Sequence, residues 1–115
     1  GFGCTSLYRP DAIDGQLRAG TSTVGTPATD ENHFFVTVGG AAGCFGDSGG
    51  AVFLTGVGIG KRIVAGVMSR TRLNTTFVTQ VSTQKSRTFI AEWLQARSYA
   101  ACGFPSADLP CRARI

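Results

Sequence analysis

The chain has 115 residues and a net charge of +4, a size suited to one domain with a modest core. Its basic residues, among them Arg62, Arg70, Arg72, Lys85, Arg87 and Arg97, form no run and alternate with no aromatics, which argues against a nucleic-acid partner. No apolar stretch approaches membrane-spanning length, and no secretory leader opens the sequence, as expected of a mature piece.

In chain order, Asp11–Gly15 reads as a loop and Gln16–Val24 as a strand. Thr26–Asn32 reads as a second loop, followed by a strand at His33–Val38. Residues 43–53, Gly-Cys-Phe-Gly-Asp-Ser-Gly-Gly-Ala-Val-Phe, lead into a strand at Ala51–Thr55. Gly56-Val57-Gly58-Ile59-Gly60 lies between two strands. A dinucleotide fingerprint needs a helix after the glycines, so this is a hairpin connection. Further strands are expected at Arg62–Ser69 and Thr76–Val81. A helix capped by Ser86 follows, with Phe89, Ile90, Trp93, Leu94 and Arg97 at helical spacing. The tail, residues 98–115, has no regular pattern. Residues 1–97 therefore read as an all-β domain closed by one helix.

Four cysteines in a small chain suggest an oxidising compartment. With one histidine and no zinc-like spacing, a metal site is not expected, and no cofactor motif is present. Four cysteines allow three pairings. The spacing favours Cys102–Cys111, closing a short loop with Pro105 and Pro110, which leaves Cys4–Cys44. Asn74-Thr75-Thr76 is a glycosylation acceptor, consistent with secretion.

Gly46-Asp47-Ser48-Gly49-Gly50 resembles the nucleophile motif of the chymotrypsin/trypsin-like serine peptidases. Gly1-Phe2-Gly3 is similar to the Gly-Trp-Gly turn those enzymes carry before the nucleophile. Ile63–Ser69 resembles the strand after it, which ends in a serine beside the substrate. Thr76–Val81 resembles the family's Gly-Val-Tyr-Thr-Lys-Val strand, and Phe89–Leu94 its closing helix. The order matches across residues 1–97. The resemblance implies the second six-stranded Greek-key barrel of that fold, followed by the C-terminal helix.

It also implies roles. Ser48 would be the nucleophile. The N–H groups of Gly46 and Ser48 would hold the oxyanion, and Gly49 and Gly50 would let the backbone turn into the next strand. Asp47 would be the structural carboxylate that in the family pairs with a freshly exposed N-terminal amine. Gly1 aligns elsewhere, so that amine is not evident. Ala42 stands at the pocket base, where an aspartate would select Lys or Arg. Thr71 and Thr75 would make the pocket shallow, suited to small or medium apolar side chains. Ser69, Arg70 and Thr71 would offer backbone groups to an extended substrate. Cys44 lacks its usual family partner, and a Cys4–Cys44 bond would tether the loops beside the active site.

The triad's histidine and aspartate precede the matched region in the family. The barrel's first strand does too, so these are expected on a separate N-terminal chain. His33, the one histidine, falls where the family places no catalytic group, and Asp11, Asp14, Asp30 and Glu31 read as solvated loop carboxylates. The reading is a secreted serine endopeptidase chain acting on protein or peptide with that partner. The alternative is a catalytically inactive homologue that binds or decoys a partner, and a third possibility is a degradation fragment.

Overall fold

A computed structural model describes residues 1–6, 8–9, 11–25, 34–56 and 62–104. The chain divides into two compact units, Gly1–Val81 and Ser82–Ile115. In the first, five antiparallel strands form one curled half-barrel: β1 (Thr23–Val24), β2 (Phe34–Val38), β3 (Ala51–Leu54), β4 (Ile63–Arg72) and β5 (Thr75–Gln80). They lie in the order β1-β2-β5-β4-β3. In the second, one helix, α1, spans Gln84–Ala96.

Alternation builds the core. On β2, Phe35 and Thr37 turn inward; on β5, Thr76 and Val78 do the same, with Val78 fully buried. The register sets Phe35 opposite Val78 and Thr37 opposite Thr76, so the two inward rows meet on one face. Beyond this centre the inner face stays open. A cavity of about 440 Å³ is lined from both edges of the sheet, by Thr21, Ser22 and Val24 on one side and Ala51–Thr55 on the other. Large apolar side chains stay partly exposed there, including Val24, Phe53 and Leu54.

The strand expected at Gln16–Val24 is a ladder only at Thr23–Val24. Gly39 and Gly40 both take positive φ (67° and 64°) and break the run of β2. Beyond them the pairing shrinks to one bond, from Ala41 N–H to Thr21 O. On its other side this stretch meets Gly1. Gly1 and Arg18 exchange reciprocal backbone hydrogen bonds of 2.6 and 2.8 Å, the signature of an antiparallel pair.

Strand β4 runs past the expected Ser69 to Arg72 because Arg72 pairs with Thr75 across a two-residue turn. That turn is Leu73-Asn74, and Leu73 holds φ at +53°, in the left-handed region. Asn74, the candidate acceptor, is exposed at its tip. β2 begins at Phe34, and His33 lies outside the described residues, as do Asp30, Glu31 and the glycine connection at 57–60. Ser86 does not cap the helix. Thr83 does, its hydroxyl accepting from Ser86 N–H at 3.2 Å, which starts α1 two residues earlier than Ser86. Within that unit Arg97 stacks on Trp93 at 4.3 Å, and Trp93 meets Tyr99.

Candidate active site

The segment from Gly43 to Gly50 runs from the core to the start of β3, and nearly every turn of it is fastened. Gly43 N–H donates to the buried Thr76 hydroxyl at 2.7 Å. Asp47 N–H donates to Cys44 O, and Gly50 N–H to Asp47 O, each at 3.0 Å. Gly49 N–H reaches Met68 O, and Met68 N–H reaches Gly50 O, both at 2.9 Å, which ties the loop to β4. Gly46 and Gly49 have φ of +98° and +84°, values that side-chain-bearing residues rarely adopt, so the Gly-x-x-Gly spacing is a backbone requirement.

Asp47 is the keystone of this loop. One carboxylate oxygen accepts Gly3 N–H at 2.7 Å, and the other accepts Cys44 N–H at 2.9 Å. The Gly1-Phe2-Gly3 backbone lies so close that a Cβ at Gly1 or Gly3 would collide with the carboxylate. Cys4 N–H donates to Phe45 O at 2.9 Å, and Cys4 is disulfide-bonded to Cys44 with 5.3 Å between the Cα atoms. The amino-terminal segment is therefore sewn to the Ser48 loop by a disulfide and by hydrogen bonds on either side of it. Cys102 is also disulfide-bonded, and its expected partner Cys111 lies outside the described residues.

Among the described residues, the N–H groups of Phe45, Gly46 and Ser48 donate to no protein group, although those of Cys44, Asp47, Gly49 and Gly50 do. Two of these free donors, Gly46 and Ser48, stand either side of Asp47. The Ser48 hydroxyl is exposed and makes one long polar contact, 3.5 Å to Ser69 O. Beside it opens a cavity of about 200 Å³ lined by Gly43, Cys44, Phe45, Ser48, Met68, Ser69, Arg70 and Thr71.

Ser48, Ser69, Arg70 and Thr71 thus share one cavity. Ala42 does not join them and lines the larger opening on the inner face instead. Thr75 lines neither, and its carbonyl accepts the Thr71 hydroxyl at 3.0 Å. Sequence reasoning missed Thr76, whose hydroxyl anchors Gly43, and Met68, which lines both cavities. The signal for Thr76 was its two-residue spacing from Val78 on the buried face of β5. Gly3 was noted only as part of a turn, and nothing in its spacing announced a carboxylate 44 positions later.

The other described carboxylates of this unit are engaged away from Ser48. Arg18 forks onto Asp14, with Nη1 at 2.7 Å from Oδ1, and Gln16 N–H adds a third bond. These contacts, the Arg18 hydrogen bond foremost, hold the Asp14 carboxyl well below the usual carboxylate range. Asp11 lies 3.8 Å from Arg9 at the surface. Among the described residues no group of three or more His, Cys, Asp or Glu is placed to hold a metal ion, and no helix is long and apolar enough to cross a membrane. No protein-family model, curated protein or solved structure matches the chain.

Proposed function

We propose that this chain is the second barrel of a chymotrypsin-like serine endopeptidase, contributing the nucleophile, the oxyanion hole and the pocket for the residue before the cut bond. The observation that carries this reading is the Ser48 loop. Gly46 and Ser48 keep their N–H groups free while the N–H groups of Cys44, Asp47, Gly49 and Gly50 around them are bonded. Such preorganised donors can stabilise a developing oxyanion without reorganising at the moment of reaction.

In this mechanism a carbonyl carbon sits at Ser48 Oγ with its oxygen toward the Gly46 and Ser48 amides. A base takes the hydroxyl proton as the Oγ–C bond forms, then returns it to the leaving amine as the peptide C–N bond breaks. The base and the group that orients it come from an N-terminal half. The open sheet supports the need for one. Strands β1 and β3 are the two edges, and one strand laid between them would close a six-stranded barrel and cover the apolar opening. The Gly1–Arg18 pair sets the direction: antiparallel chain leading into Gly1 would run alongside Ala19–Val24.

The small cavity, with Gly43 and no acidic residue in its lining, suits a small or medium apolar side chain over a cation. The disulfide Cys4–Cys44 fits a secreted protein. Non-reducing isolation followed by intact-mass measurement tests the two-half reading. A stoichiometric companion carrying a histidine and an aspartate is expected. A lone 115-residue species that hydrolyses peptides would refute it. An inactive, partner-binding homologue is distinguished by a Ser48 that no activity-based probe labels.

A further inference from the structure

Arg70 sits on β4 one residue after Ser69, the residue whose carbonyl meets the Ser48 hydroxyl. The ladder with β5 shifts register between Met68 and Arg70, and from there Arg70 lies opposite Phe77 and Thr71 opposite Thr76. Thr76 is buried on the inner face, so Arg70 belongs to the outer one, where Phe77 and Phe34 also lie. Its guanidinium carbon stands 4.6 Å from the Phe77 ring centroid and 5.3 Å from that of Phe34.

Among the described residues this cation is held but not neutralised. Their ion pairs in this unit are Arg9 with Asp11 and Arg18 with Asp14, and Asp47 is occupied by backbone N–H groups. Among the described residues no carboxylate pairs with Arg70. Two aromatic faces restrict the side chain and leave its forked donors available, the arrangement best suited to capture a carboxylate. Arg72 follows two residues later on the same side of the strand and adds to the local positive potential.

We propose that Arg70 is a specificity-determining residue that recognises an acidic side chain of the substrate. The inference rests on the peptidase reading above and extends it. A substrate strand added along Ser69–Thr71 would place one side chain in the cavity beside Ser48. Neighbouring side chains alternate faces, so those at the second and fourth positions before the cut bond share the face of Arg70. Aspartate or glutamate at one of these positions completes the pair that the described residues leave open.

The test uses the protein assembled with its N-terminal half and fluorogenic peptides ending in alanine. Each carries Glu, Gln or Lys at the second, third or fourth position before the cut. At low salt kcat/KM for Glu should exceed that for Gln by about fivefold at the second or fourth position, with no preference at the third. High salt should compress the ratio. Arg70→Gln should bring it to about one, and Arg70→Glu should favour Lys. The salt dependence of the unaltered protein stands even if a variant fails to fold. Cleavage of the neutral peptides with no Glu preference would overturn the inference and leave the peptidase reading intact. Absence of both peptide cleavage and probe labelling at Ser48 would overturn the reading and the inference with it.

Discussion

Asp47→Asn is the sharpest perturbation of the Ser48 loop. The carboxylate uses one oxygen for Gly3 N–H and the other for Cys44 N–H. A carboxamide has one acceptor oxygen, so one of these bonds must go, and an NH₂ group then faces an N–H. A hydrogen bond to a charged group contributes about 1.5–3 kcal/mol, and stranding a partly buried donor costs a similar amount. A local loss of about 2 kcal/mol follows, equivalent to roughly a 30-fold change in an opening equilibrium. Amide hydrogen exchange reads it directly. Gly3 or Cys44 N–H should lose protection by roughly that factor in the variant, while the Val78 amide in the buried centre should not change. Wild-type exchange at both amides would refute the idea that Asp47 pins the amino-terminal segment to the loop.

Leu73 is three-quarters exposed and sits at φ +53°, so Leu73→Gly removes left-handed strain of about 1–2 kcal/mol with little packing to lose. After glycine's extra unfolded-state entropy, the denaturation midpoint should still rise, by about 0.5–1 kcal/mol equivalent. Replacing Cys4 and Cys44 by alanine opens a 40-residue loop and should cost about 4 kcal/mol in the chain-entropy model, read as a fall in the same midpoint. Asp14 has its carboxyl pKa depressed by Arg18 and then by Gln16 N–H. Its fastening is therefore complete above the ordinary value of 3.8 and lost only as pH falls through the lowered one. An NMR titration should place Asp14 below the ordinary carboxylate range, and Arg18→Gln should move it back toward 3.8.

Strands whose alternation buries one face were legible from residues alone. β2 and β5 fall within a residue of their expected bounds at the ends that can be compared, because Phe35, Thr37, Thr76 and Val78 give a period of two; β3, which buries no residue, does so on its run of Val52, Phe53 and Leu54. The stretch from Gln16 was misjudged. β-formers cluster there only at Thr21, Thr23 and Val24, and the two positive-φ glycines that interrupt its neighbour act from positions 39 and 40, outside any local window. The tight glycine turn around Ser48 was legible because its glycines answer to backbone geometry within five residues. The carboxylate contact to Gly3 and the hydroxyl anchor from Thr76 were not, since each joins segments more than 30 residues apart that meet only in the folded sheet. Ala42 and Thr71 were expected in one pocket, yet Ala42 faces the inner opening while Thr71 lines the cavity of Ser48.

The claim on which the account turns is that Ser48 is a nucleophile served by a base outside these 115 residues. Labelling with a fluorophosphonate probe, followed by peptide mapping, tests it on the protein assembled with its N-terminal half. Ser48 alone among the serines should be modified, because the proposed oxyanion hole, built from the free N–H groups of Gly46 and Ser48, belongs to its loop, and Ser48→Ala should abolish both labelling and peptide hydrolysis apart from a residual rate of about 10³–10⁴ over water. Modification of Ser69 or Ser86 instead, or hydrolysis undiminished in Ser48→Ala, would contradict it.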